Sequence, residues 1–315
     1  MDISVIISTY NGVAKLPVVL SSLEKQSYKD FELIIVVDGS ADGTMDMLKD
    51  WEKRFDHIRV IYQENKGRAA VRNTGALNAA GELLIFFDDD IIVHENCIKD
   101  HRNYHIKTGF RNIFTGEVLD APVETGDNKL FLEYKKYVAA AWSRNLFRKE
   151  KKLADNTYYA ENYIAGADFS LTKKIFTRLG ALDESLNRME DFEFAIRAKE
   201  QGIITVVAEQ YATVTHRDSD NTFRAWVLKA RVSEKNCAIV YAKDPARFKM
   251  LAPLKITVNN IFIKMGLWAF ANHLSYNFMA SGSGLKKIFP KKILYRIYDI
   301  IVIANGRYYP DKVAL

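Results

Sequence analysis

Three consecutive carboxylates, Asp88-Asp89-Asp90, follow at once on five apolar residues, Leu83-Leu84-Ile85-Phe86-Phe87. A short apolar run rich in branched and aromatic residues reads as a strand buried on both faces. The acids cannot share that burial, because desolvating an unpaired ionised carboxylate is very costly. They must lie at the carboxyl edge of a sheet, where open α/β folds bind their ligands. Alternation along a strand turns Asp88 and Asp90 one way and Asp89 the other. Two carboxylates two residues apart on one side form a pincer for a hard divalent cation, which takes oxygen ligands and bridges to substrate phosphates.

Four further features have types and spacings that suit the same chemistry, and each also has a plainer structural role. Ser8-Thr9-Tyr10-Asn11 ends the first apolar run, where an aromatic ring and backbone groups could hold a nucleobase or simply form a strand-to-helix loop. Asp38, before Gly39, could accept a hydrogen bond from a base N–H or cap a turn. In Asn65-Lys66-Gly67-Arg68-x-x-x-Arg72-Asn73-x-Gly75, three cations precede the acidic strand. They could counter a pyrophosphate, or they could be the solvated start of a helix. Glu190-Asp191 opens a helix, where acids are common for dipole reasons alone.

The elements that must position these residues alternate. Strands are expected at Ile3 to Ile7, Phe31 to Val37, Ile58 to Tyr62 and Leu83 to Phe87. Helices are expected at Leu16 to Gln26, Thr44 to Arg54 and Ala69 to Ala79. This βαβαβαβ rhythm predicts a mostly parallel, doubly wound α/β sheet with right-handed crossovers. The stretch from about 110 to 175 is less regular, with a helix expected near Tyr134 to Arg144. A helix over Asp191 to Gln201 is stopped by Gly202, and a strand follows at Thr205 to Ala208.

The 315 residues, 48% hydrophobic and 27% charged, belong to a globular chain of one large or two ordinary domains. Two cysteines, Cys97 and Cys237, offer neither a disulfide framework nor metal-ligand spacing and suggest a reducing compartment. The amino terminus enters a strand directly, so no signal peptide is expected. The net charge of +6 is unevenly spread: from Arg224 onward there are 16 Lys/Arg and 4 Asp/Glu, hence +12. A basic tail asks for an anionic partner, a membrane surface or nucleic acid. The 21 uncharged residues between Lys264 and Lys286 are long enough to span a bilayer. Their many Asn, Ser, His and Gly residues argue instead for an interfacial segment, with Trp268, Phe270, Tyr276 and Phe278 among cationic flanks. Lys286-Lys287 and Lys291-Lys292 bracket Ile288-Phe289, and a second apolar helix is expected from Ile293 to Ala304. The plainer alternative is a packed helical subdomain whose lysines face water.

Taken in order, these motifs resemble the family 2 glycosyltransferases, which have a GT-A, nucleotide-diphospho-sugar-binding fold. The matching residues are Val5 to Gly12, Phe31 to Thr44, Asn65-Lys66-Gly67, Ala70-Val71-Arg72-Asn73 and Gly81-Glu82 with the strand into Asp88-Asp89-Asp90. Gly180-Ala181-Leu182-Asp183-Glu184, Glu190-Asp191, Arg197 and Gly202 complete the set, so the resemblance covers about residues 2–218. It implies a catalytic domain over 1–223, with 1–109 holding the nucleotide sugar and 110–223 holding the acceptor and the base. Residues 224–315 are expected to form a basic, aromatic, helical C-terminal region that associates with a membrane surface. Thr9, Tyr10, Asp38, Lys66, Arg72, Asp88 and Asp89 would hold the donor, expected to be a UDP-sugar. Asp88 and Asp90 would hold Mg2+ or Mn2+, with His216 in Val214-Thr215-His216 as a third ligand. Asp191 would be the general base of one inverting displacement. At Asp191, the helix dipole lowers a carboxylate pKa while the like charge of Glu190 raises it. Two departures stand out: Val37, not an acid, precedes Asp38, and the Gln-x-x-Arg-Trp signature of processive members is absent. The +12 tail, rather than the resemblance, points to the acceptor: a lipid-linked or envelope glycan, as in polysaccharide biosynthesis, is expected where the tail meets an anionic membrane, from the cytoplasm at the inner face of the cell membrane.

A dinucleotide-dependent oxidoreductase would need Gly-x-Gly-x-x-Gly after the first strand, where Ser8-Thr9-Tyr10-Asn11-Gly12 stands. A sugar-nucleotide-forming nucleotidyltransferase would begin with a glycine-rich basic loop, also missing. A nucleic-acid-binding tail would share the charge but lacks a zinc-finger or RNA-recognition signature. Trp142, Tyr158, Tyr159 and Gly166-Ala167-Asp168 are candidates for acceptor contact.

Overall fold

The computed structural model describes residues 2–121, 129–186, 188–217, 222–251, 261–270 and 289–305. The chain begins β1 (Ile3–Thr9), α1 (Leu16–Leu23), β2 (Glu32–Asp38), α2 (Thr44–Trp51), β3 (Ile58–Gln63), α3 (Arg68–Asn78) and β4 (Leu83–Asp88). Next come β5 (Ile91–Val93), α4 (Cys97–Thr108), β6 (Ile113–Thr115), β7 (Val118–Asp120), α5 (Lys129–Leu146), β8 (Thr157–Ala160) and β9 (Asp168–Thr172). The series continues with α6 (Lys173–Arg178), α7 (Glu190–Glu200), β10 (Thr205–Ala208), β11 (Val214–His216), α8 (Phe223–Lys243), α9 (Ile261–Phe270) and α10 (Lys291–Ile303).

The main sheet has the order β3-β2-β1-β4-β9-β6-β10-β8. β3, β2, β1 and β4 are parallel, as the alternating pattern requires. β9 then enters antiparallel to both β4 and β6, and β8 is antiparallel to β10, so the sheet is mixed with a parallel majority. Odd-numbered residues of β1, Ile3, Val5 and Ile7, pack under α1, α2 and α4, whereas Ile6 packs under α3, α6 and α7. Both faces of the central strands are therefore apolar, which is why those strands appear as unbroken hydrophobic runs. The chain winds from β1 to β2 and β3 and then returns to β4 on the far side of β1. That reversal leaves a crevice at the carboxyl ends of β1 and β4, the usual ligand position in such sheets.

A small second sheet, β5-β11-β7, pairs His216 with Ile91, directly after the acidic turn. Two compact units emerge: Met1–Ala121 with Arg144–Asp218, and Pro122–Ser143 with Ser219–Leu315. The second unit has its own core of Leu130, Phe131, Tyr134, Phe223, Val227, Leu294, Tyr298 and Ile301, and Tyr134 donates to Asp299 at 2.6 Å. Among the described residues no helix is long and apolar enough to cross a membrane. Tyr276, Phe278, Lys286, Lys287 and Ile288 lie outside the described residues.

Candidate active site

β4 delivers Asp88 as its last residue, and the turn that follows carries Asp89 and Asp90. The three acids part company there. One ligand atom from each of Asp88, Asp90 and His216 lies within 4.8 Å of the others. His216 Nε2 stands 3.3 Å from Asp90 Oδ1, and the Arg217 N–H donates to the Asp90 carbonyl at 2.7 Å. The small sheet thus brings a histidine from far along the chain to the pincer. Two carboxylates and an imidazole, all partly open to solvent, form a donor set that suits Mn2+ or Mg2+.

Asp89 turns the other way. Its carboxylate accepts from Thr9 Oγ1 at 2.6 Å and from Lys15 Nζ at 2.9 Å. Burial raises the Asp89 pKa despite the opposing pull of Lys15 and Thr9. Thr9 and Asp89, expected at the donor, are instead nearly covered and face each other. They brace the loop that carries Tyr10, which is 51% exposed at the sheet edge. Lys15 escaped the sequence reading because a lone lysine in a turn before a helix carries no signal.

Asp38, at the end of β2, is also engaged. Oδ1 accepts from Gln63 Nε2 at 2.8 Å and from the Lys66 N–H at 2.9 Å, and Oδ2 accepts from the Gly67 N–H at 2.9 Å. It therefore ties the Asn65-Lys66-Gly67 loop to the sheet edge, with the Lys66 side chain left exposed. Gly39, at φ +71°, belongs to the same arrangement: a Cβ there would lie 2.8 Å from the Asn65 nitrogen.

Arg72, expected to counter a pyrophosphate, is 2% exposed, and both of its Nη groups are already matched within the chain. Nη1 donates to Glu190 Oε1 at 2.6 Å, and Nη2 donates to Asp88 Oδ1 at 2.8 Å and to the Gly166 carbonyl at 3.0 Å. Glu190 and Asp191 open α7, so Arg72 joins the donor-side acid to the residue beside the expected base. Asp191 is pushed up to about 6, first by burial and then by the charge of Glu190, against the lowering pull of Arg72 and the Phe192 N–H. Burial, which the sequence did not reveal, is the largest cause of the rise, and the like charge of Glu190 adds to it.

The acceptor candidates separate. Tyr158 is buried and donates to Glu209 at 2.8 Å, and Asp168 is fully buried in β9, so neither is placed to meet an acceptor. Trp142 is 46% exposed on α5. Gly166 lies beside the acids: a Cβ there would stand 3.0 Å from Asp191 Oδ2 and 3.4 Å from Arg72 Nη2.

Comparison with known proteins adds to this geometry. The model of the family "Glycosyl transferase family 2" matches residues 4–178, more than half of the chain. Glycosyltransferase GlyG of Streptococcus pneumoniae is 38% identical over 98 residues, 31% of this chain and 33% of that protein. The matched segments span 14% to 33% of the length of the first curated relatives. Among solved structures, the mannosyltransferase PcManGT from Pyrobaculum calidifontis, in complex with GDP-Man and Mn2+, aligns with a TM-score of 0.65. That alignment has 16% identity and covers 99% of this chain and 88% of that one. Staphylococcus aureus TarS 1–349, in complex with UDP-GlcNAc, aligns with a TM-score of 0.55 and 16% identity over 98% of this chain and 90% of that one.

Proposed function

This chain belongs to glycosyl transferase family 2, and we propose that it moves a sugar from a nucleotide diphosphate to an acceptor hydroxyl in one inverting displacement. The observation that carries the reading is the convergence of Asp88, Asp90 and His216 at the sheet's switch point, with Asp191 joined to the same acids through Arg72 and Glu190. Residues 1–109 hold the donor and 110–223 hold the acceptor and the base.

Tyr10 offers an exposed ring for the base to stack on. A carboxylate accepts at about four positions, and at Asp38, which is nearly covered, three are taken within the chain. The remaining one suits the single N–H of uracil better than the adjacent donor pair of guanine, which favours a UDP-sugar. Lys66 lies on the same rim and can meet the diphosphate. Asp88, Asp90 and His216 would hold Mn2+ or Mg2+, which neutralises charge on the departing diphosphate when bound. Asp191 takes the acceptor proton as the hydroxyl attacks the anomeric carbon. A pKa near 6 keeps it ionised at neutral pH yet more basic than an ordinary aspartate.

The acceptor is a lipid-linked or envelope glycan, reached at the cytoplasmic face of an anionic membrane. Support comes from the basic tail and from α10, whose first turn exposes Lys291, Lys292 and Ile293, with Phe289 just before it. A screen of UDP- and GDP-sugars for Mn2+-dependent sugar release by the full chain tests the reading. A UDP-sugar should be consumed, and loss of no donor under any metal would overturn it.

A further inference from the structure

The acids of the site come from two distant parts of the chain, and one side chain touches both. Resting on the transferase reading above, we propose that Arg72 is a positioning residue. It sets the spacing between Asp88 on the donor side and the Glu190–Asp191 pair on the acceptor side, and it contacts no donor phosphate.

The guanidinium is planar, with its donors fixed in direction. Nη1 and Nη2 together meet Glu190, Asp88 and the Gly166 carbonyl, at 2.6, 2.8 and 3.0 Å. No lysine could hold three acceptors in that arrangement, because its ammonium is a single point on a flexible stem. Without the cation, Asp88, Glu190 and Asp191 would confront one another in a largely buried space and would move apart or take up protons. Gly166 completes the linkage. Its carbonyl fixes the guanidinium, and its bare Cα lets Asp191 Oδ2 come closer than a Cβ would permit. From the other end, α3 starts at the Gly67 N–H that Asp38 holds, so the rim of the donor site and the base share one rigid support.

The test uses the full chain in Mn2+, measuring UDP affinity by calorimetry and consumption of bound UDP-sugar in single-turnover kinetics with acceptor. Arg72→Lys keeps the charge and loses the fork. It should leave UDP affinity within about threefold of wild type and slow the bound donor about 100-fold, the scale of a misplaced catalytic group. Gly166→Ala retains every Arg72 contact and presses on Asp191, so it should slow the same step about tenfold with affinity unchanged. It also covers the case in which Arg72 variants fold poorly. If UDP affinity falls tenfold or more in Arg72→Lys while the bound donor reacts at the wild-type rate, Arg72 is a donor ligand and the inference is overturned. A thermal-unfolding cycle of Arg72→Met, Glu190→Gln and the double variant needs no substrate. The double variant should lose less than the two single losses together, because Glu190 no longer stands charged and alone. Strict additivity would refute the linkage even if the chain proved to bind no nucleotide sugar.

Discussion

Among the described residues, two clusters bring three metal-ligating side chains, a histidine and at least one carboxylate in each, within 4.8 Å of one another, and the two differ in how far their geometry suits a metal ion. In the first, Asp88, Asp90 and His216 keep about a fifth of their side-chain surface open, and His216 stands 3.3 Å from Asp90. In the second, Cys97, His101 and Asp168, the last two are wholly covered and stand 2.7 Å apart. Ligands of a tetrahedral zinc ion, each about 2.1 Å from the metal, stand over 3 Å from one another, so 2.7 Å is the distance of a hydrogen bond. The other His101 nitrogen meets Ser170 Oγ at 2.8 Å, and His105 meets the same oxygen at 2.8 Å. Burial drives the Cys97 thiol up and holds His105 down at about 3, so the thiolate a metal needs is disfavoured and His105 stays neutral. Residue type and proximity alone do not make a site. Asp88 and Asp90 lie at the end of a strand, where a ligand can arrive. Asp168 begins a strand inside the sheet and braces it against α4.

Asp191→Asn should cut turnover by roughly 10²–10⁴ with little change in donor affinity, as expected for a positioned base. Wild-type rate should fall as pH drops through about 6, and that inflection should vanish in the variant. Because the folded pKa lies above that of the unfolded chain, Asp191 favours the fold at low pH and loses that contribution as pH rises through about 6. Asp191→Asn should therefore unfold at a higher temperature than wild type at pH 7.5, with the gap closing by pH 4. A collapse of donor affinity with turnover intact would remove Asp191 from the chemistry.

The sealed cluster should answer in stability alone. Asp168→Ala leaves the His101 N–H without its acceptor and should cost about 1–3 kcal/mol in chemical unfolding. The Mn2+ concentration for half-maximal activity should not move. A shift in metal dependence would mean the two clusters are not as separate as their burial implies. The smallest effect belongs to the tail, which should touch neither cluster. Lys292→Ala should weaken binding to anionic liposomes several-fold, since each cation near such a surface adds about 1 kcal/mol. Donor hydrolysis should be unchanged, and liposome binding that ignores the substitution would favour a tail that only packs.

The first four strands and three helices were legible because both faces of the sheet are apolar and the turns are marked. Gly39-Ser40 after Asp38 and Gly67 before Arg68 are examples. β9 was not legible. Asp168 and Ser170 turn polar side chains inward onto α4, while Phe169 and Leu171 pack on the opposite face, so the strand resembles an exposed loop. β5, β7 and β11 have three residues each, too short for a periodic signal, yet they bring His216 to the pincer. The sequence could nominate Arg72 and Asp89 as charged residues near a phosphate. Only the fold shows that Glu190, Asp88 and Lys15 already hold them.

On the proposed reading, Asp88, Asp90 and His216 form a cation-dependent donor site. Calorimetric titration of UDP into the full chain, with Mn2+ and then with excess chelator, tests it most directly, with Asp90→Asn run in parallel. Wild type should bind UDP in Mn2+ and lose that binding in chelator, and Asp90→Asn should fold normally and bind no better in Mn2+ than wild type does in chelator. UDP binding of equal strength in all three conditions would mean that these three residues hold no cation for the donor.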